Sequence, residues 1–421
     1  MPVLLGCIAD DFTGATDLCN MLVRHGMRVV QLLDVPDEQE PVPEVDAVTI
    51  ALKIRTCPVA EAKRQALAAL AWLRRAGARQ LFFKYCSTFD STDEGNIGPV
   101  ADALLDALGA DLTIACPAFP ETGRTVYKGH LFVGDLLLSD THMRHHPLTP
   151  MTDSNLLRVL GRQTPHRVGL VEYAVVRQGE GAVRARLAAL REEGVRHAIT
   201  DILHDGHLMT VGHACAELPL VTGGSGIAMG LPDNFRRAGL LEENPEAAQL
   251  PSIAGKEAVL AGSCSAATLE QIRVFAAERP ALALDPLDLA RGFDPETVLA
   301  WAMPHFENGP VLIYASAPPE KVEAAQRALG RERAGAVVEQ AMAAVARALV
   351  ANGVRRLVVA GGETSAAVCR ALGITALRIG PQIDPGVPAT VSLGDPPLAL
   401  ALKSGNFGGP DFFLKALRVM P

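Results

Sequence analysis

The sequence predicts an α/β protein of two domains, each with a mainly parallel sheet flanked by helices. Short β-branched or apolar runs alternate with stretches rich in Ala, Leu and Arg at helical spacing, which is typical of βα units. The 421 residues exceed what a single hydrophobic core usually organises. Residues 241–251 are polar and acidic and contain two prolines, as linkers between compact units often do. We therefore expect one domain over residues 1–244 and a second over residues 245–421.

Each predicted strand is a short apolar run that ends at a polar or glycine-rich turn. The first domain contains eight such runs, at residues 3–8, 28–33, 47–51, 80–85, 112–116, 168–171, 197–201 and 218–222. Helices are predicted between them, for example at residues 58–76 and 182–193. The second domain contains a long Ala-rich helix at residues 331–352 and five strands, at residues 258–261, 281–284, 310–314, 356–360 and 376–379. A helical connection allows neighbouring strands to run in parallel. Because the linker at residues 241–251 separates the two series of strands, each half is expected to form its own sheet.

The composition excludes several classes of partner. Subtracting 47 acidic from 39 basic residues gives a net charge of −8, and the chain has no dense block of Lys and Arg, so nucleic acid is not an expected partner. No apolar run reaches the length of about 18 residues that crosses a bilayer. The first residues lack the basic start of a signal peptide. We therefore expect a cytoplasmic protein with no membrane partner.

Neither the cysteines nor the histidines predict a metal site. The eight cysteines are scattered and form no C-x-x-C pair, which supports neither a thiolate zinc site nor a disulfide framework. Two groups of three histidines, at residues 142–146 and 204–213, lack an H-E-x-x-H pattern and a cysteine at ligand spacing. Ordinary polar loops are expected there, with no transition metal.

Three glycine-rich turns of the second domain have a composition that suits anions. Their sequences are Gly262-Ser263-Cys264-Ser265, Gly361-Gly362-Glu363-Thr364-Ser365 and Lys403-Ser404-Gly405. The backbone N–H groups that open a helix after such a turn are unpaired and can hold an anion. No G-x-x-x-x-G-K-[ST] string occurs, so the turns are not a P-loop. One such turn is commonly a plain helix cap, but three in one domain favour binding of a polyphosphate.

Two adjacent carboxylates, Asp10 and Asp11, end the first predicted strand. Open α/β sheets bind ligands at the carboxyl ends of their strands. Adjacent side chains point in different directions there, so one can face a crevice while the other caps the next helix. In one interpretation they are a base or a metal-facing group beside a substrate hydroxyl. In the other, Asp11 is a simple N-cap and Asp10 is solvated.

A hydroxyl-rich segment follows the fourth predicted strand. It contains Lys84, Ser87 and Asp90, which together suit a small polyol. Arg55 and Arg124 also lie in loops at strand ends, where a guanidinium can bind a carboxylate through two hydrogen bonds. We rank Lys84 above both arginines as a ligand contact.

In their fixed order, these strings resemble the four-carbon acid sugar kinases over nearly the whole chain. The resemblance rests on residues 9–15, 84–98, 117–125, 146–155, 223–230, 262–265, 361–364 and 403–409. It implies an amino-terminal domain that binds a sugar acid, a carboxyl-terminal domain that binds ATP, and transfer of phosphate to the terminal C4 hydroxyl. Five residues separate Lys84 from Asp90, a spacing that resembles the branch of the family that acts on 3-oxo-tetronate.

The strings and the resemblance together assign roles to individual residues. The expected catalytic residues, which orient or deprotonate the hydroxyl, are Asp10 and Asp11. The expected substrate-binding residues are Thr13, Gly14, Arg55, Lys84, Ser87, Asp90 and Arg124. The expected nucleotide contacts are Ser263, Ser265, Gly361, Gly362, Glu363, Thr364, Lys403 and Gly405.

Phosphoryl transfer requires that the phosphate charge be neutralised and the hydroxyl be held in line. We therefore expect Mg²⁺ to bridge the ATP phosphates, an active site in the cleft between the domains, and a hinge near residue 245 that closes it. The sequence leaves the oligomeric state open, with a homodimer as one possibility.

Two rival functions also stay open. The first is an NAD-dependent dehydrogenase of a small hydroxy acid, which the glycine-rich residues 223–230 alone would favour; the second is a non-catalytic sugar-acid sensor. We interpret residues 223–230 instead as a substrate loop or a domain-interface turn, because they end a domain.

Overall fold

The structure is a computed structural model that describes residues 2–37, 41–146 and 148–421. The chain divides into two compact units, Met1–Ala247 and Ala248–Pro421. Both units are α/β structures with a mainly parallel sheet, as the sequence predicts.

The first unit contains eleven strands and eight α-helices in its described residues. The strands are β1 (Leu5–Ala9), β2 (Val29–Leu33), β3 (Ala47–Ala51), β4 (Gln80–Lys84), β5 (Thr113–Cys116), β6 (Arg124–Tyr127), β7 (His130–Val133), β8 (Leu136–Leu137), β9 (Arg167–Val171), β10 (Val195–Thr200) and β11 (Leu220–Gly223). The helices are α1 (Phe12–Arg24), α2 (Val59–Arg75), α3 (Ile97–Leu108), α4 (Leu156–Gly161), α5 (Tyr173–Val176), α6 (Glu180–Glu192), α7 (Asp205–Ala214) and α8 (Leu231–Arg237).

Eight of these strands form one parallel sheet in the order β2-β3-β1-β4-β11-β5-β10-β9. Strands such as β1 are buried along their whole length, as expected for a parallel sheet covered by helices. The chain order reverses at β1, because β3 lies on one side of it and β4 on the other. Ligands bind outside the carboxyl ends of the strands at such a reversal. Ala9 and Lys84 are paired at that point, so the segments that follow both strands begin side by side.

The strands β6, β7 and β8 form a separate antiparallel sheet. The sequence analysis does not predict it, because these strands are only two to four residues long and lack a clear apolar run. The small sheet is tied to the end of β10: Val126 bridges Ile202, and the Gly129 N–H donates to Asp201 Oδ1 at 2.9 Å.

The second unit contains seven strands and seven α-helices. The strands are β12 (Lys256–Ala261), β13 (Ala281–Ala283), β14 (Val311–Tyr314), β15 (Val354–Ala360), β16 (Ala376–Asp384), β17 (Val387–Ser392) and β18 (Ala399–Lys403). The helices are α9 (Ala266–Ala276), α10 (Pro286–Arg291), α11 (Pro295–His305), α12 (Pro319–Leu329), α13 (Arg331–Ala351), α14 (Gly362–Ala371) and α15 (Phe412–Val419).

The strands of this unit follow the order β13-β14-β12-β15-β18-β17-β16. The first five are parallel, whereas β17 runs antiparallel to both of its neighbours. The sequence analysis does not predict β17 or β18, because it expects a helix between consecutive strands. A tight turn through Gly386, at φ +77°, joins β16 to β17 instead. The core of the unit includes Phe275, Phe412 and Phe413, from helices α9 and α15.

Among the described residues, α13 is the one helix with the length and apolar composition of a membrane span. It packs against α10, α11, α12 and α14 of its own unit, and Met342, Val345 and Leu349 are buried there.

Candidate active site

Asp11 is the N-cap of helix α1. Its backbone is extended (φ −149°, ψ 163°), and its carboxylate accepts hydrogen bonds from the Gly14 N–H and the Thr13 hydroxyl, both at 3.0 Å. An N-cap carboxylate pairs with backbone donors that the first helical turn leaves unsatisfied. Asp11 therefore caps α1, as one of the two interpretations of the sequence expects. The Thr13 hydroxyl bonds Oδ2, while Gly14 bonds Oδ1, so the two oxygens have different surroundings.

Asp10 is buried, with 4% of its surface exposed, and it pairs with Arg55. The interpretation that leaves Asp10 solvated is therefore wrong. The guanidinium donates from Nε to Asp10 Oδ2 at 2.9 Å and from Nη2 to Asp10 Oδ1 at 2.8 Å. Nη2 also donates to Asp11 Oδ1 at 2.8 Å, and Nη1 lies 4.0 Å from Asp90 Oδ2. Arg55 thus hydrogen bonds two carboxylates of its own unit and faces a third, which favours a positioning role over the expected contact with substrate.

Burial and ion pairing shift the pKa values of the two neighbouring carboxyls in opposite directions. Burial raises the pKa of Asp10 above its ordinary value, although Arg55 opposes this shift. Burial acts on Asp11 in the same sense, but Arg55, Lys84 and the two capping hydrogen bonds outweigh it and lower the pKa of Asp11. Asp11 is therefore the more strongly ionised of the two at neutral pH.

Lys84 ends β4 and packs against the first turn of α1. Its side chain is 3% exposed, and Nζ donates to the Tyr85 carbonyl at 2.8 Å. A Cβ on Gly14 would lie 3.1 Å from Nζ, so glycine lets the ammonium approach the helix. An ammonium group has three donors, of which the Tyr85 carbonyl takes one. Lys84 therefore places a buried cation beside the aspartates, on the strand end where a ligand is expected.

Asp17 is a further carboxylate of this site and was not predicted. The Ser225 hydroxyl donates to its carboxylate, and burial raises the pKa of Asp17, although Lys84 and Ser225 oppose the shift. Residues three apart on a helix share one face, so Asp11, Gly14 and Asp17 form a single row. That spacing is a signal in the sequence that could have indicated Asp17.

The segment after β4 continues the site on its other side. Asp90 accepts a hydrogen bond from the Thr88 hydroxyl at 2.5 Å and faces Arg55. Asn96 donates to the Ile54 carbonyl at 2.6 Å and so holds the loop that carries Arg55. Asp10, Arg55, Asp90 and Asn96 line one closely packed crevice. Ser87 is half-buried on the same segment.

Arg124 begins β6 in the separate antiparallel sheet. Its Nη1 donates to the Thr122 carbonyl, whereas its Nε is buried with no hydrogen-bond partner. The described contacts do not join Arg124 to Asp10, Asp11 or Lys84. The role of Arg124 in binding a carboxylate stays a prediction.

In the second unit, the three predicted anion turns lie at the same edge of the sheet. The strands β12, β15 and β18 are parallel neighbours, so the turns after them are adjacent. We name them the Gly262 turn (residues 262–265), the Gly361 turn (residues 361–364) and the Lys403 turn (residues 403–405). The Gly262 N–H donates to the Ala360 carbonyl at 3.0 Å, and the Gly361 N–H donates to the Lys403 carbonyl at 2.9 Å.

Hydroxyl groups link the Gly262 turn to the Lys403 turn. Ser265 caps α9 by accepting the Thr268 N–H at 3.2 Å, and its own hydroxyl donates to the Gly405 carbonyl at 2.6 Å. The Thr268 hydroxyl donates to the same carbonyl at 2.9 Å. A Cβ on Gly405 would collide with the Ser263 hydroxyl, so glycine is what allows this close approach.

Lys403 is fully buried beneath these turns. Its Nζ donates to the Thr268 hydroxyl at 3.0 Å and to the Gly405 carbonyl at 2.9 Å. Burial lowers the pKa of Lys403 to about 7. A bound anion would favour the charged ammonium and raise this pKa again. The site therefore contains a desolvated cation suited to a phosphate.

Gly361 requires a backbone conformation that other residues adopt only with strain. Its φ is +125° and its ψ is 131°, and it is the N-cap of α14. We expect Gly361→Ala to weaken ATP binding by about tenfold or more, because strain of about 1–3 kcal/mol would displace the turn. A Cβ would also lie 3.2 Å from the Ser263 nitrogen. Isothermal titration calorimetry with ATP measures the effect.

Gly373→Ala is the matched control for this variant. Gly373 has φ +65° in the same unit, but a Cβ there meets nothing within 4 Å. This substitution should lower the melting temperature while leaving ATP affinity unchanged. Equal ATP affinities of the Gly361→Ala and wild-type proteins would place the nucleotide elsewhere.

A cavity of about 650 Å³ opens beside the anion turns. Gly262, Cys264, Glu363 and Thr364 line it on the side of the turns. The rest of its lining is mostly apolar and comes from the segments after β13 and β14 and from helices α12 and α13, including Leu284, Val322, Ala325, Ala334 and Val338. This volume is in the range of small-molecule sites, which span roughly 300–1,000 Å³. The sequence analysis found the turns but not the helical wall of the cavity.

The glycine-rich residues 223–230 are an internal packing element. All of them are buried. A Cβ on Gly224 would lie 2.7 Å from the Pro117 carbonyl oxygen, and one on Gly212 would lie 2.8 Å from Gly230 Cα. The glycines thus allow close packing within the first unit, and Ser225 of the same segment donates to Asp17. The interpretation as a substrate loop or domain-interface turn stays a prediction.

Comparison with known proteins assigns the two units to domain families. A sugar-binding N-terminal domain matches residues 5–231, and a nucleotide-binding C-terminal domain matches residues 258–413. A chain that joins a sugar-binding domain to a nucleotide-binding domain has the domain organisation of a sugar kinase. The chain belongs to the four-carbon acid sugar kinase family.

Full-length relatives narrow this assignment. Proteins of Cupriavidus necator and Burkholderia multivorans, both named 3-oxo-tetronate kinase, are 62% and 61% identical to this chain. The alignments cover 99% of this chain in each case, and 96% and 97% of those proteins. A crystal structure from Salmonella typhimurium LT2 is 45% identical with a TM-score of 0.89, and covers 99% of both chains. One from Haemophilus influenzae is 41% identical with a TM-score of 0.82, and covers 98% of both.

Proposed function

We propose that this chain is an ATP-dependent kinase that phosphorylates the C4 hydroxyl of 3-oxo-tetronate. The observation that carries the proposal is the identity of 61–62% over 99% of the chain to relatives named for that activity. We propose further that residues 1–244 bind the sugar acid and that residues 245–421 bind ATP. The matches to a sugar-binding and a nucleotide-binding domain support this division.

Asp11 is the carboxylate that we assign to the reacting hydroxyl. Its side chain is 28% exposed, against 5% for Asp10, so a substrate can reach it. Oδ1 already accepts from Gly14 and Arg55, whereas Oδ2 accepts from Thr13. Oδ2 therefore has acceptor capacity left, with which it holds the C4 hydroxyl in line and takes its proton as the ester forms. Asp10 positions Arg55.

Lys84 and Arg124 are the cations that we assign to the anionic end of the sugar acid. Lys84 is buried beside Gly14 with unused donors, and Arg124 is half-buried with its Nη1 on the Thr122 carbonyl. A carboxylate that accepts these donors would satisfy groups that are costly to leave unpaired. Ser87 and Asp90 are assigned to the hydroxyl groups of the substrate, as the hydroxyl-rich composition of their segment suggests.

The anion turns of the second unit are assigned to the ATP phosphates. Their backbone donors, the Ser263 and Ser265 hydroxyls and the Lys403 ammonium offset the charge that the phosphates bring. Mg²⁺ usually takes one or two carboxylates in addition to phosphate oxygens and water. Glu363 and Thr364 line the cavity with oxygen donors of that type, so the residues fit the metal. When bound, Mg²⁺ would neutralise charge on the phosphates.

A coupled assay for ADP release across four-carbon sugar acids tests the proposed activity. We expect 3-oxo-tetronate to give the highest kcat/KM and the reduced tetronates a much lower value. Phosphorus NMR of the product should place the new ester at C4. ADP release that does not depend on any sugar acid would contradict the proposal and favour a non-catalytic sensor. Binding of NADH without affinity for ATP would contradict it and favour a dehydrogenase.

A further inference from the structure

Gln163 lies in the turn that follows α4, and its side-chain amide holds the segment of residues 91–98 at three points. Nε2 donates to the Ser91 hydroxyl and to the Thr92 carbonyl, both at 2.8 Å, and Oε1 accepts the Gly98 N–H at 3.0 Å. The residue is buried. Because both hydrogens and the oxygen of the amide are paired, its orientation is fixed.

The Gly98 N–H belongs to the first turn of α3. Asn96 is the N-cap of that helix, and asparagine is among the preferred capping residues. Among the described contacts, however, the Asn96 side chain accepts no N–H of α3. The Gln163 oxygen takes its place, although the two residues that it joins are 65 positions apart. A Cβ on Gly98 would lie 2.8 Å from the Gln163 Cβ, so glycine allows this approach.

Asn96 uses its amide on the loop that carries Arg55 instead. Nδ2 donates to the Ile54 carbonyl at 2.6 Å and to the Cys57 carbonyl at 2.9 Å, so it holds the backbone on both sides of Arg55. A capping side chain turns toward the N–H groups of its own helix. The cap that Gln163 supplies therefore leaves Asn96 available for the loop.

The loop and its arginine pass this support to the two aspartates. The Arg55 guanidinium donates to both oxygens of Asp10 and to Asp11 Oδ1. The Ile54 N–H donates to the Asp10 carbonyl at 3.1 Å. Asn96 lines the same crevice as Asp10 and Arg55. A continuous series of hydrogen bonds thus joins the glutamine, which lies outside this crevice, to the carboxylates at the end of β1.

We propose that Gln163 is a positioning residue of the sugar-acid site, which it organises through residues 91–98 and the loop of Arg55. The inference rests on the proposed function, because it takes the first unit to bind the sugar acid. The glutamine acts through other residues, so its substitution should displace the groups of the site without removing a contact with substrate.

Gln163→Met tests this role, because methionine has a similar length and forms none of the three hydrogen bonds. In the full-length protein, we expect kcat/KM for 3-oxo-tetronate to fall about 10- to 100-fold, since small displacements of reacting groups are costly. Calorimetry should show weaker binding of 3-oxo-tetronate and unchanged binding of ATP, which is assigned to the second unit. The melting temperature should also fall, because the Gly98 N–H and the Thr92 carbonyl lose a partner. Assays are run well below it.

Two control variants separate positioning from general stability. Gln178→Ala removes an exposed amide of the same unit, which donates to the Ala174 carbonyl at 2.7 Å, and should behave as wild type. Leu187→Ala removes a buried side chain of α6. It should lower the melting temperature while leaving kcat/KM unchanged, since α6 carries no residue assigned to the site.

A double-mutant cycle with Asn96 tests the path. Asn96→Ala should lower kcat/KM, because the loop of Arg55 loses its hold. If Gln163 acts through Asn96, the double variant should be within about threefold of the worse single variant, whereas independent effects would multiply. Fold-changes that multiply would contradict the path and overturn the inference.

The remaining outcomes are distinguishable. A Gln163→Met protein with wild-type kcat/KM and a lower melting temperature shows a structural role only, which overturns the inference and leaves the kinase intact. An equal loss of kcat/KM in Leu187→Ala overturns it as well, because destabilisation would explain both. A wild-type protein that phosphorylates no four-carbon sugar acid refutes the proposed function. The affinities of wild type and Gln163→Met for 3-oxo-tetronate then decide the inference: a weaker variant supports it, and equal or absent binding overturns it.

Discussion

Asp11→Asn is expected to lower kcat about 100-fold or more, the scale on which a positioned acid–base group acts. The amide can still cap α1 through its carbonyl oxygen, because the Gly14 N–H needs only an acceptor. It cannot accept the hydroxyl proton at the Oδ2 position. ATP affinity should stay unchanged, since the carboxylate lies in the other unit from the turns that we assign to the ATP phosphates. Steady-state kinetics with 3-oxo-tetronate and calorimetry with ATP measure the two quantities.

Asp10→Asn is expected to reduce kcat on a similar scale but by another route. The substitution removes a charged partner of Arg55, which donates to both oxygens of Asp10. Its melting temperature should therefore fall, unlike that of Asp11→Asn, because a hydrogen-bonded buried ion pair is weakened. Asp111→Asn removes an exposed carboxylate from the same unit and should behave as wild type. Wild-type turnover in both the Asp10 and Asp11 variants would refute the assignment of these carboxylates.

Lys403→Met is expected to weaken ATP binding about 30-fold or more, the effect of removing one partner of a buried charge pair. The methionine fills a similar volume and has no desolvated charge, so the protein should fold at least as stably. Lys415→Met removes a cation that pairs with Asp384 at the surface of the same unit and should leave ATP affinity nearly unchanged. An unaltered dissociation constant in Lys403→Met would remove the phosphates from this turn.

The same lysine should make ATP binding depend on pH. The pKa of Lys403 is about 7 in the free protein, and a bound phosphate raises it by favouring the charged form. Below pH 7 the ammonium is already charged and binding needs no proton. Above pH 7 binding must take up a proton, so the affinity should fall by up to about tenfold per pH unit until the pKa of the complex is reached. Lys403→Met should lose this slope, and a flat wild-type profile between pH 6 and 9 would contradict the mechanism.

Much of each candidate site could be predicted because its residues lie in short sequence segments. Asp10 and Asp11 stand together at a strand end, and the Gly262, Gly361 and Lys403 turns each carry their own pattern of glycine, hydroxyl or cation. The backbone conformation that such a string adopts depends mainly on local sterics and hydrogen bonds. Most predicted strands are present for the same reason, because an apolar run of that length forms a buried strand wherever helices cover it.

Other parts of the sites depend on contacts between distant residues. Asp17 pairs with Ser225, 208 positions away, and Asn96 holds the loop of Arg55 through the Ile54 carbonyl. The cavity wall comes from α12 and α13, whose sequences indicate only helices. The sequence also placed Arg55 among the substrate contacts, since nothing local shows that Asp10 and Asp11 occupy its donors.

The sequence by itself determined that this is an α/β protein with acidic and cationic groups at strand ends in one half and three anion turns in the other. Local patterns carry that information because periodicity and turn chemistry act over a few residues. Only the tertiary structure decided which polar groups pair with one another inside the protein and which keep hydrogen-bonding capacity for a ligand. Burial and pairing are properties of the packed chain: they bind Arg55 to Asp10 and lower the pKa of Lys403.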